Sequence, residues 1–136
     1  MAETLKLEII TPQAIAFSED VHMVTLPAIE GEMGVYPQHV HLITQLTPGE
    51  IIVSKDGQDR FIAVGEGLVE ITGRAVAIVT DMAIPAEQID EAAVEEARER
   101  AAARLREKIS EEEVATVNAS LARSLAQLQV RKRRKT

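Results

Sequence analysis

A chain of 136 residues with 46% hydrophobic side chains can bury a core, and with aromatics at 2% that core must be built from Val, Ile and Leu. The absence of cysteine removes disulfides, thiol catalysis and thiolate metal sites together. The net charge of −7 is uneven: residues 1–85 hold four basic against twelve acidic side chains, and residues 86–136 hold eleven against ten.

An acidic body repels phosphates, so nucleic acid is not an expected partner. No uncharged apolar run reaches the roughly 18 residues that a membrane span needs, so no direct membrane insertion is expected. The opening MAETLKLEIITP lacks the basic start and apolar stretch of a signal peptide, which points to the cytoplasm or a membrane face bathed by it.

From Thr4 to Asp81 the pattern has period two. Leu5, Leu7 and Ile9 alternate with Lys6 and Glu8, as in a strand with one buried face. Further strands are predicted over residues 21–27, 40–46, 50–55, 60–66, 68–72 and 75–81. Turn signals separate them, among them Glu30-Gly31, Pro48-Gly49 and Thr72-Gly73. Lys55-Asp56-Gly57-Gln58 reads as a hairpin by its turn chemistry. Seven or more short strands without helices between them predict an antiparallel β-sandwich or flattened barrel.

Pro85 marks a change of regime, after which there is no glycine and alanine is abundant. Val94, Ala97, Ala101 and Leu105 form one face of a helix whose start is acidic and whose end is basic, which complements the helix dipole. Ser110 and Glu113 form a capping box that starts a second helix, with Val114, Val117, Leu121, Leu125 and Leu128 as its seam. The fold class is thus α+β: a β-domain over residues 1–85, then an antiparallel helical hairpin with a basic tail over residues 86–136. Between Val114 and Val130 the second helix has one charge, Arg123. A neutral face moves from water to a protein surface more cheaply than a charged one, so this helix suits an exchange of packing partners.

Catalytic signals are absent. His39 and His41 share a strand parity, but two ligands without Cys or a convergent carboxylate read as structural histidines, and no metal is expected. Gly65-Glu66-Gly67 and Gly31-Glu32-Met33-Gly34 lack the strand-to-helix setting and the lysine of a phosphate loop. No His and carboxylate gather around any Ser or Thr, so no catalytic residue is assigned. Arg131, Lys132, Arg133, Arg134 and Lys135 make a basic tip for a phosphate, membrane-surface or acidic-protein ligand, or a solvated terminus.

The stretch EGEMGVYPQHVHLITQLTPGEI at residues 30–51 closely resembles the E-G-x-x-G-[IV]-x-P-G-H-x-P-L-x-T-x-L-x-x-G signature of the epsilon subunit of bacterial F-type ATP synthase. FIAVGEGLVEITGRAVAIVTDMAI and IDEAAVEEARERA resemble two further blocks of that family, and the similarity runs over essentially the whole chain. The resemblance implies a non-catalytic rotor subunit of the central stalk, monomeric when isolated. It would sit at the cytoplasmic face of the bacterial inner membrane as a peripheral part of the complex.

By similarity the c-ring contact falls on a turn at Glu30, Gly31, Glu32, Met33 and Gly34, and the gamma contact on Tyr36, His39 and Leu42. The hairpin would inhibit ATP hydrolysis by opening along gamma into the alpha/beta hexamer, its basic tail latching onto an acidic segment of a beta subunit. Two departures from the family pattern bear on function. Gln38 and His41 replace a glycine and a proline. Of the nucleotide motif of some members, Ile89, Asp90 and Arg123 match, but Ala93, Val94 and Gln127 do not, so ATP binding to the hairpin is expected to be weak or absent and no cofactor is assigned. A free-standing ligand-binding β-domain that oligomerises through its helices is the alternative.

Overall fold

The computed structural model describes the backbone of residues 3–135 and the side chains up to Arg131. Ten strands come first: β1 Leu5–Ile10, β2 Ile15–Val21, β3 Met23–Ala28, β4 Gly31–Val35, β5 Leu42–Leu46, β6 Gly49–Lys55, β7 Gln58–Val64, β8 Gly67–Ile71, β9 Ala75–Thr80 and β10 Ala83–Pro85. A 3-10 turn at Ala86–Gln88 leads to α1, Glu91–Leu105, and α2, Glu111–Lys135.

The strands form one nearly closed sheet in the order β10-β7-β6-β3-β5-β8-β9-β1-β2, with β4 paired to β3. All pairs are antiparallel except β1 with β9, so the sheet is mixed where a wholly antiparallel one was expected. The period-two side chains meet inside it: Leu5, Leu7 and Ile9 of β1, Val24 and Leu26 of β3, Ile51 and Val53 of β6, and Val76 and Ile78 of β9 are all buried. Each fully buried Val, Leu or Ile contributes roughly 1.5–3 kcal/mol relative to an exposed one. The predicted hairpin closes with Lys55 opposite Gln58, Asp56 at φ 52° and Gly57 at φ 77°.

Three strands escaped the alternation pattern. β2 carries a bulge, since Ile9 faces Phe17 while Ile10 faces Ile15, so its parity flips midway. β10 is too short to show a period. β4 corrects the expected turn at Glu30 to Gly34: the turn is Ile29-Glu30 alone, and Gly31 already pairs with Ala28 in the ladder. Gly31, at φ 127°, lets the chain re-enter the sheet directly after the turn.

The helices have a smaller core of their own with the sheet. Ala63 of β7, Ala86, Ile89, Val94 and Val130 are buried together, with Phe61, Met82, Ile84 and Leu128 packed around them. Through it α2 lies against β6 and β7 and antiparallel to α1. The basic run does not trail from the helix, because α2 continues through Lys135.

Candidate functional site

Three surfaces carry the residues singled out by sequence. The first is the β3–β4 hairpin. Glu32 and Gly34 point outward opposite Pro27 and Thr25, while Met33 and Val35 turn inward, with Met33 packed on the main core. Ile29, Glu30, Gly31 and Glu32 are exposed, so two carboxylates and an apolar side chain stand at one projecting tip. Such a tip can offer charge-assisted hydrogen bonds to an amide-rich or basic loop.

The second surface is the outer face of β2, β1, β9, β8 and β5. In register across it, Leu68 faces Val79, Val79 faces Ile10, and Ile10 faces Ile15. Ile15, Ile43, Leu68 and Val79 are each more than half exposed, and Val40 is 78% exposed. A contiguous apolar row on an exposed sheet face marks an interaction surface. Of the residues assigned to gamma by similarity, Leu42 pairs with Ile71 and so shares the inward parity of β5, whereas Tyr36 and His39 lie in the segment before it. Tyr36 is exposed, Leu42 opens β5, and the His39 ring nitrogen Nδ1 lies 2.8 Å from the Val40 carbonyl. Sequence reading assigned no role to Ile15, Leu68 and Val79. Their signal was present: Ala75–Thr80 is apolar at both parities, so its outward side chains are apolar as well.

His39 and His41 lie in the segment before β5, outside any strand. Among the described residues no three His, Asp or Glu side chains cluster as a metal site. The turn's backbone survives the loss of glycine, since Gln38 itself adopts φ 66° and its N–H bonds the Gly73 carbonyl at 2.5 Å.

The third surface is the hairpin. Asp90 caps α1, its carboxylate accepting the Ala93 N–H at 3.2 Å, and Ile89 is buried in the smaller core. The Ser110 hydroxyl accepts the Glu113 N–H at 3.2 Å, as the capping box predicts. Arg104 joins the helices by donating to Glu113 at 2.5 Å and to Glu107, and these carboxylates raise its pKa above the ordinary guanidinium value.

Besides the Arg104–Glu113 pair, three polar contacts among the described residues tie α2 to the rest of the chain. Arg123 Nη1 lies 3.2 Å from Asp81 Oδ2, Gln127 Nε2 lies 3.2 Å from Met82 Sδ, and Arg131 Nε lies 3.9 Å from Glu91 Oε2. Ile89, Asp90 and Arg123 thus each have a role in the docked hairpin itself. The side chains of Lys132, Arg133, Arg134 and Lys135 lie outside the described residues.

Comparison with known proteins separates the two halves. Residues 4–86 match the ATP synthase delta/epsilon chain beta-sandwich domain, and residues 87–132 match the long alpha-helix domain of the same chains. The ATP synthase epsilon chain of Herpetosiphon aurantiacus is 37% identical over 131 residues, covering 96% of both chains. That of Pelotomaculum thermopropionicum is 42% identical over 106 residues, covering 78% of this chain and 79% of the relative. Among solved structures, a chain of the Euglena gracilis mitochondrial ATP synthase, in a structure with the c-ring, superposes with a TM-score of 0.77 at 26% identity, over 93% of this chain and 79% of that one. A chain of the Tetrahymena thermophila mitochondrial ATP synthase central stalk and c-ring shares the fold at a TM-score of 0.55 and 10% identity, covering 97% and 96%. The two profile matches and the near-full-length relatives agree with the resemblance carried by residues 30–51, and the chain belongs to the delta/epsilon family of ATP synthase chains.

Proposed function

We propose that this chain is a non-catalytic rotor subunit that links gamma to the c-ring through its β-domain and restrains ATP hydrolysis through its hairpin. The complex it belongs to follows from the family, and the three surfaces support the division of labour. The exposed Ile29–Glu32 tip is the c-ring contact, with Glu30 and Glu32 as its acceptors. The gamma contact takes in Tyr36, His39 and Leu42, as the resemblance implies, and the exposed apolar row of Leu68, Val79 and Ile15. The subunit sits peripherally at the cytoplasmic face of the bacterial inner membrane, and among the described residues no helix is long and apolar enough to cross it. In isolation it is a monomer.

One observation carries the braking role. α2 is held on β6 and β7 by a small apolar core, while between Val114 and Val130 its surface is neutral apart from Arg123. Helix packing of this kind has two discrete solutions, docked on the sheet or extended along another partner, and a ligand of either state shifts the population. In the extended state the basic end of α2 meets an acidic segment of a beta subunit as a latch. ATP binds the hairpin weakly or not at all, because Arg123 is engaged by Asp81 and the other expected arginines are absent.

The test is ATP hydrolysis by the hexamer–gamma complex with the full chain and with a version ending at Ile109. The full chain is expected to inhibit and the shortened one to bind without inhibiting. Equal inhibition by both would remove the brake and leave the link to gamma standing.

A further inference from the structure

The Gly65-Glu66-Gly67 segment is no phosphate loop, yet its geometry is constrained. It joins β7 to β8 beside the β9–β10 connection. The Gly65 N–H bonds the Met82 carbonyl at 3.1 Å, the Asp81 N–H bonds the Glu66 carbonyl at 3.2 Å, and the Thr80 hydroxyl donates to the Glu66 carbonyl at 2.9 Å. These bonds hold Asp81 in place from both sides. A Cβ at Gly65 would stand 1.9 Å from Asp81 Oδ1, and one at Gly67 would stand 1.9 Å from the Val79 carbonyl oxygen. Neither glycine has a positive φ, so their lack of a side chain serves close approach and not backbone freedom. At Gly65 the group admitted is the carboxylate itself.

We propose that Gly65, Glu66, Gly67 and Asp81 form a socket for Arg123 that fixes the register of α2 on the β-domain. Arg123 is the one charge on α2 between Val114 and Val130, and it meets the Asp81 carboxylate at 3.2 Å, with its Cγ 3.4 Å from the position of a Gly65 Cβ. One helical turn on, Gln127 adds its contact to Met82 Sδ. Apolar burial of Val130 and Leu128 drives docking but is non-directional, so a helix with a neutral surface could slide along the sheet. A single charge seated in a preformed acceptor selects one register. The pair is about 40% exposed on average, its side chains being 35% and 44% accessible, so it is open to screening by salt. The socket deepens the reading of the hairpin as a mobile brake by naming what holds the docked state.

The experiment uses the isolated full chain, whose lack of cysteine allows spin labels to be placed on Cys introduced at the exposed positions Gln58 and Ala115. The distance distribution reports the docked and undocked populations. Asp81→Asn, Arg123→Gln and Gly65→Ala are each expected to raise the undocked population about 2- to 5-fold, the range an exposed ion pair supports. Salt at about 1 M should do the same to the unaltered chain and little further to the variants. Adding ATP with magnesium should change none of the distributions.

Asp81→Asn and Arg123→Gln leave the backbone of the socket intact, so they decide the matter if Gly65→Ala does not fold. Distributions in these two that equal the unaltered chain's, or docking restored in them by ATP, would overturn the socket. Because the readout involves no hydrolysis, undocking by these variants would uphold the socket even if the version ending at Ile109 still inhibited.

Discussion

Gln38 occupies a backbone conformation that suits glycine. At φ 66° its Cβ crowds the following carbonyl, which costs a non-glycine residue about 1–2 kcal/mol. The turn persists because Gly73 accepts the Gln38 N–H and because Val35, one strand-end away, is buried in the core. The Gln38 side chain gives little back, since its contact with Glu3 is exposed and 3.4 Å long. Glycine at this position is therefore expected to stabilise the fold by about 0.5–1 kcal/mol, the αL relief being offset in part by the entropy of a more flexible unfolded chain. Denaturant unfolding measures this through a higher midpoint at unchanged slope. A lower midpoint for Gln38→Gly would mean that the side chain stabilises the turn by a contact other than Glu3.

Among the elements, β2 shows best where sequence reasoning stops. β1 was legible because Leu5, Leu7 and Ile9 alternate with Lys6 and Glu8, and β9 because its short, β-branched apolar run follows a turn signal at Thr72-Gly73. β2 was not, because its bulge puts Ile15 outside and Phe17 inside at the same parity. The helices were legible through Ser110, Glu113 and the apolar seams, whereas the partners of Arg123 and Arg131 depend on a docking geometry that no local pattern encodes. The same limit hid the clasp that β2 makes across the open side of the sheet. β2 hydrogen-bonds only to β1 among the described strands, and Glu19 reaches over to Lys55 of β6 at 3.0 Å and to Arg60 of β7 at 3.2 Å. Arg60 also stacks 5.1 Å above the Phe17 ring.

The hydrogen bond from Lys55 holds the Glu19 carboxyl below its ordinary value, partial burial opposes the shift, and Arg60 adds to it. A depressed folded pKa stabilises the fold above the unfolded-state value of about 4.3 and is lost as pH falls through the lower folded value. Glu19 is 35% exposed, so solvent screening limits the gain to about 1 kcal/mol or less. Glu19→Gln is expected to melt lower than the unaltered chain at pH 7, with the difference shrinking on acidification below about pH 4. A difference that stays constant across that range would assign the effect of the substitution to packing.

At the scale of the whole molecule, the two sides of the sheet do different work. One side, at β6 and β7, is covered by α2 through Ala63, Phe61 and Val130. The opposite run, β2-β1-β9-β8-β5, leaves Ile15, Val79, Leu68 and Ile43 in water. A chain that already owns a helical hairpin has left this second face uncovered, so intramolecular burial is not what the face is for. Its apolar row is continuous across four strands, as the pairing of Leu68, Val79, Ile10 and Ile15 requires. The proposed association with gamma would need an apolar centre of this kind, because charges at the centre of an interface are depleted and costly to desolvate.

Val79 lies in the middle of the row and is 55% exposed, so lysine there can keep its ammonium in water in the free chain. Thermal stability should stay within about 0.5 kcal/mol of the original, as for other surface substitutions. In the proposed contact with gamma the same ammonium would be desolvated at its centre, and affinity is expected to fall at least 10-fold, equivalent to about 1.4 kcal/mol. Titration of isolated gamma with the unaltered chain and with Val79→Lys measures this directly, with Lys introduced at Gln129 of α2 as a control on a different exposed surface. Unchanged affinity for Val79→Lys would move the gamma contact off this face and leave its apolar row for another partner.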